Sequence, residues 1–244
     1  MLKKLMFLVL FIFIGSLFFY SNTSFAKEAN GEDYDLSEEN FEQLIVEGYL
    51  PGDISYDEWV EINDESLFDE LEVPNVVLDT DDTDGIMTYA KASKTFTLKK
   101  GDILVSNGTS YKGLTGHAGI AISSNRILHI AGPNKKPAVV SVKAWQKNYG
   151  IVKGQRDGIT HTKVYRVSNN SAGKAGDWAS KNYKGKNYKY GFGGKITSKN
   201  PTYCSKIVWQ AYNNQNKAKK PKTKIIGPYQ LPTHITGAKG LGIL

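Results

Sequence analysis

The chain has 244 residues, 40% of them hydrophobic and 23% charged, with a single cysteine and a formal charge of +7. That is enough apolar material for one ordinary core, so a wholly disordered chain is excluded. One cysteine cannot form an internal disulfide, which excludes a disulfide-stapled scaffold.

The net charge hides a sharp division. Residues 27–90 hold 21 acidic residues against one lysine, and residues 91–244 hold 28 basic residues against Asp102, Asp157 and Asp177. Asymmetry of this kind bears on partners.

Residues 1–26 read as a targeting segment. Lys3 and Lys4 precede an apolar run from Leu5 to Tyr20, and Ser24-Phe25-Ala26 offers small residues for cleavage after Ala26. The expectation is a bacterial protein that is secreted or associated with the cell wall.

In the acidic segment, Phe41, Leu44, Ile45 and Tyr49 fall at helical spacing, and Pro51-Gly52 ends that pattern. Ser55-Tyr-Asp-Glu58 is a capping-box pattern opening a helix with Trp59, Val60 and Ile62, which Leu67, Phe68 and Leu71 extend. These faces are too few for an independent core and are expected to dock on the basic remainder. Segment 27–90 is thus either a pro-segment or cover, or an acidic spacer. Asp79 to Gly85 resembles a calcium loop, but position 6 is Asp84 and position 12 is Ala90, so it reads as an exposed linker.

The basic domain begins with a Gly101-Asp102 turn and a strand over 103–106. A loop over Asn107–Gly116 follows, and then a strand over His117–Ser123. Ser124-Asn125 turns it into a partner strand over Arg126–Ala131. Ala138–Val142 is a further β run, with Trp145 on a turn or short helix. Val164–Val167 is another strand and Ser171–Asn182 a helix. Tyr188 to Gly194 is an aromatic-glycine loop. Pro201-Thr-Tyr-Cys204 then opens a helix with Ile207, Val208, Ala211 and Tyr212 on one face, and Thr202 is the expected N-cap. Strands followed by helices define an α+β domain with a mainly antiparallel sheet.

Cys204 would lie in the first helical turn, where free N–H groups and the dipole favour a thiolate. A buried, inert cysteine is the competing reading. A working thiol needs a base and a third group to orient it. His117 opens a strand after a glycine-rich loop, and His129 follows 12 residues later on the hairpin partner, so imidazole contact is within reach. His161 and His234 read as surface residues. An acidic orienter in place of His129 would have to be Asp102, Asp157 or Asp177, of which Asp102 reads rather as a turn residue that accepts backbone N–H groups. No CxxC, HxxxH or HExxH spacing is present, which argues against a metal site, and no cofactor signature is present.

Gly101-Asp102-Ile, Gly116-His117-Ala-Gly-Ile and Ile127-Leu128-His129, then Tyr190-Gly-Phe-Gly-Gly194 and Tyr203-Cys204-Ser-Lys-Ile-Val208, resemble the NlpC-type papain-like cell-wall peptidases. The order of the two halves is reversed, as in the circularly permuted branch that includes YiiX and YaeF. The resemblance covers roughly 96–213. It implies a papain-like α+β fold with Cys204 as nucleophile, His117 as base and His129 as orienter, and with Tyr190 or Tyr188 lining the substrate site. Tyr203 and Lys206 depart from the family pattern of aspartate and glycine.

The expected activity is hydrolysis of amide bonds in peptidoglycan stem peptides, with an anionic wall polymer as partner to the basic domain. An acyl-lipid or lipopeptide hydrolase or acyltransferase on the same fold is the first alternative. A non-catalytic wall-binding module is the second. No nucleic-acid-binding motif is present.

Overall fold

The computed structural model describes residues 35–74, 78–79, 88–89, 96–111, 113–150 and 160–244. The targeting segment, residues 80–85 and Asp157 lie outside the described residues.

The acidic segment forms helices α1 (Glu38–Val46), α2 (Tyr56–Asn63) and α3 (Ser66–Asp69). The capping box forms as its spacing predicts. Ser55 Oγ accepts from the Glu58 N–H at 3.2 Å, and the Glu58 carboxylate accepts from the Ser55 N–H at 3.0 Å. Replacing Ser55 with alanine is expected to cost about 1 kcal/mol, read as a lowered thermal midpoint. An unchanged midpoint would show that the cap is dispensable. Leu67 and Phe68 lie in α3, a separate turn after Asp64, rather than extending α2. Strands β1 (Leu78–Asp79) and β2 (Thr88–Tyr89) pair with each other, so the expected linker begins in a strand.

The main sheet has six strands in the order β6-β5-β4-β3-β7-β8, every neighbouring pair antiparallel. They are β3 (Ile103–Tyr111), β4 (Leu114–Ser123), β5 (Arg126–His129), β6 (Ala138–Ser141), β7 (Thr162–Val167) and β8 (Ala238–Ile243). Helices α4 (Val142–Tyr149), α5 (Asn170–Tyr183), α6 (Cys204–Asn213) and α7 (Leu231–His234) complete the fold. The expected loop over 107–116 is instead the outer half of a β3–β4 hairpin, with a bulge between Ser106 and Ser110. Its serines, threonines and glycines carry no apolar alternation to announce a strand.

Strand alternation divides the core in two. Ile103, Val105, Ala118, Ile120 and Leu128 face α5 and α6, in one cluster with Cys204 and with the N-terminal residues Phe41, Trp59, Ile62 and Phe68. Leu104, Ala121, Ile127 and Val164 face the other way, against Trp145 and Tyr149 of α4. Gly119 belongs to this second face. A Cβ there would lie 2.8 Å from both Trp145 and Ile127, so α4 approaches closely only over a glycine.

Asp102 accepts from the Lys99 N–H at 2.7 Å, the turn role its position predicts. It also receives both arms of Arg166, each at 2.6 Å. Across the turn, the Tyr212 hydroxyl donates to the Gly101 carbonyl at 2.6 Å, so this corner anchors α6 against the sheet.

Candidate active site

Cys204 is the first residue of α6. The N-cap is Tyr203, in extended conformation, and no side chain caps the helix start. Thr202 does not take the capping role expected of it. Its backbone is committed to the aromatic-glycine loop: the Gly191 N–H donates to the Thr202 carbonyl at 3.0 Å, and the Thr202 N–H donates to the Lys189 carbonyl at 2.9 Å. The residues flanking the cysteine grip one further loop. The Ser205 hydroxyl donates to the Ile226 carbonyl at 2.7 Å, and the Tyr203 hydroxyl accepts from the Ile226 N–H at 3.2 Å.

The Cys204 sulfur is buried, and the backbone N–H of Ala118 in β4 and groups of its own first turn act to lower its pKa. Those donors favour a thiolate, as the helix start predicts. Burial opposes them and wins, pushing the thiol up to about 11. The expected low-pKa thiolate is therefore corrected: in this state Cys204 is a neutral thiol.

His117 and His129 are brought together as the hairpin predicts, with His117 Nε2 at 2.8 Å from His129 Nδ1. Both rings are buried in an aromatic box. His117 stacks on Tyr149 at 4.4 Å and on Trp145 at 5.3 Å, and His129 meets Trp145 edge-on at 5.5 Å. The box is itself braced. Trp145 Nε1 donates to the Thr162 hydroxyl at 3.0 Å, and the Ser106 and Thr162 hydroxyls both donate to the Tyr149 carbonyl. Burial holds His117 well below the ordinary imidazole range and brings His129 down to about 4. The pair is uncharged at neutral pH.

Among the described residues no hydrogen bond joins Cys204 to either histidine. His117 lies on the strand face shared with Gly119 and Ala121, under α4. Ala118 lies on the face under α6, in one cluster with Cys204. The alternation that sends Ala118 toward the cysteine helix sends its neighbour away from it. Thiol and imidazole thus flank residues 117–118 from opposite faces. They do so where β4 and β5 have parted, since the last paired residues there are Ile120 and Leu128.

Tyr190 bridges to Thr202, two residues before the cysteine, and its ring meets Phe192 edge-on at 5.5 Å. Tyr188 packs edge-on against Tyr183 at 5.7 Å. Both are half-buried in the loop leading to Cys204. His161, expected at the surface, is buried with its ring 5.0 Å from Phe68. The contact comes from α3, nearly a hundred residues earlier, which no local pattern reveals.

Sequence reasoning gave Lys206 no role. It is fully buried two residues after the cysteine, donating to the Pro201 carbonyl at 2.9 Å, and burial lowers its ammonium to about 8. It is the one charged residue between Lys199 and Lys217, and that isolation is the signal that could have marked it.

The fold and the site together define an α+β protein with a six-stranded antiparallel sheet. It carries a thiol at a helix start on one face and a histidine pair on the other. The family described as lipoprotein N-acylation protein LnsA-like matches residues 73–242, more than half of the chain, and the chain belongs to that family. An uncharacterized 30.3 kDa protein of Bacillus thuringiensis is 33% identical over 155 residues, covering 59% of this chain and 55% of its own length. The match therefore spans about half of that relative. The metalloprotein yiiX of Escherichia coli O157:H7 is 18% identical over 60% of this chain and 89% of its own, with a TM-score of 0.37.

Proposed function

We propose that this chain is a cysteine-dependent acyl-transfer enzyme on a circularly permuted papain-like scaffold, acting on the acyl group of a lipid or lipoprotein. The observation that carries the reading is the placement of Cys204. It is the first residue of an uncapped helix, and it shares one buried cluster with Ala118, the residue next to His117. The family description favours an acyl-lipid over the stem peptides of peptidoglycan, while the nucleophile and its chemistry stay the same.

In the proposed reaction the sulfur attacks the carbonyl carbon of an ester or amide. An S–C bond forms, the thiol proton goes to the histidine pair, and the carbonyl oxygen is held by helix-start N–H groups. The C–O or C–N bond then breaks, and the leaving group takes the proton from the pair. The thioester passes its acyl group to water or to an amine, and the thiol is restored. The Ala118 N–H, which acts on the thiol, would serve as a further oxyanion donor. Attack requires the first residues of β4 to turn so that His117 reaches the sulfur. Gly116, at φ 71°, is the residue before it. In the state described here the thiol is neutral and enclosed, so the resting protein is expected to react slowly with thiol reagents near neutral pH.

The test is to incubate the protein with a diacylated lipopeptide or phospholipid vesicles and to follow Cys204 by mass spectrometry. The expected result is an acyl thioester on Cys204 with release of the deacylated lipid. Cys204→Ala should abolish turnover, and His117→Gln should lower it by about 10² or more. His129→Gln should retain more activity than His117→Gln, as befits an orienting group. Full activity of Cys204→Ala would remove the mechanism. Release of stem-peptide fragments from muropeptides, with no action on lipid, would replace the substrate.

A further inference from the structure

We propose that the outer face of α5, together with the 184–200 loop, is a docking surface for a bilayer rich in anionic phospholipid. Between 174 and 199 the chain carries seven lysines, all exposed, and a single acidic residue. That residue, Asp177, is already paired with Lys100 at 2.7 Å. Seven cations with no free carboxylate among them in that stretch form a basic field of one sign.

The patch also has aromatic character. Lys174, Trp178 and Lys181 recur at i, i+4 and i+7, on one stripe of α5. Trp178 is half-buried. The Lys199 ammonium lies 5.6 Å over its ring, so the far end of the loop folds back onto that stripe. Half-exposed tryptophan and tyrosine beside lysine is the composition that favours the headgroup layer.

The surface is fixed relative to the thiol. Gln210 of α6 donates to the carbonyls of Ile196 and Ser198, the latter at 2.8 Å, and Lys206 donates to that of Pro201. The loop that carries Lys199 is therefore held to the cysteine helix five residues before the sulfur. A membrane held on this face would present its lipid beside the start of α6. Among the described residues no helix is long and apolar enough to cross a membrane. The choice of lipid over other polyanions rests on the acyl-lipid reading above.

The experiment is co-sedimentation of the full chain with vesicles of phosphatidylglycerol and phosphatidylcholine, or of phosphatidylcholine alone. It is run with the Cys204→Ser protein as well, so that binding is read without chemistry. Binding is expected only with phosphatidylglycerol, and loss of it at about 1 M salt, where the screening length falls to about 3 Å. K181E/K184E/K186E should weaken it by about tenfold or more, with the glutamine versions weakening it less. K219E/K220E/K222E, exposed lysines of another loop, should leave it unchanged. Equal binding to phosphatidylcholine, equal loss in the two triple variants, or retention of soluble polyphosphate but not of vesicles would overturn the proposal. Vesicle binding without acyl transfer would leave the surface standing and remove the reaction.

Discussion

Trp59→Ala is expected to destabilise the protein by about 3–5 kcal/mol, although Trp59 lies in the acidic stretch that reads from sequence as a detachable segment. The ring is fully buried and packs 5.5 Å from Phe41. Its Nε1 donates to the Gly113 carbonyl at 3.1 Å, at the turn of the β3–β4 hairpin. One turn further along α2, buried Asn63 accepts from the Thr115 N–H at 2.6 Å and donates back to the Trp59 carbonyl at 2.8 Å. Truncation thus leaves a cavity and removes one donor from a buried carbonyl at once. The control is Val46→Ala in α1, where the side chain is 87% exposed and a change within about 0.5 kcal/mol is expected. Urea denaturation of the two variants decides the matter: equal midpoints would show that the acidic helices lie on the domain without belonging to it. If the expected gap appears, excising residues 35–74 is the wrong way to ask whether the segment covers the site. The truncated chain would expose Tyr229, whose ring lies 5.2 Å from Phe68 of α3.

The same contacts explain what the sequence revealed and what it did not. The capping box, the Ser124-Asn125 hairpin and helix α5 were legible because each is specified within a dozen residues. Register followed from the hairpin, and with it the meeting of His117 and His129. The sidedness of that pair was not legible. His117-Ala-Gly-Ile-Ala is buried on both faces, so its pattern does not tell which face receives the cysteine helix. Only the docking of α6, tied to the Gly101-Asp102 corner by Tyr212, assigns Ala118 to the sulfur and His117 to the aromatic box. Strand β8 escaped notice for a different reason. Ala-Lys-Gly-Leu-Gly-Ile offers two glycines and one charge in six residues, and it becomes a strand because β7 has an unpaired edge to complete. The low-pKa thiolate was a local inference from the helix start. It failed because desolvation is a property of the whole surround.

Acidification should unfold this protein through its histidine pair. Both imidazoles are held below their ordinary range by burial, His129 at about 4 and His117 in the same direction. A depressed folded value means that the unfolded chain binds the proton more tightly. The stability linked to the pair is therefore intact above about pH 6.5 and is lost as pH falls from there toward about 4. For His129 alone the loss is about 3 kcal/mol, since each unit of difference corresponds to about 1.4 kcal/mol. Among the described residues, the rings that meet the pair are Trp145, Tyr149 and the partner imidazole, and no ion pair is formed with either histidine. A proton arriving on one ring places a charge in a buried aromatic box, and opening the box is the cheaper response. The measurement is the urea midpoint across this pH range for the wild-type chain and for His117→Gln/His129→Gln. The double variant keeps an amide hydrogen bond but has nothing to titrate, so its midpoint should hold nearly level where the wild type falls. Parallel curves for the two proteins would place the acid sensitivity elsewhere.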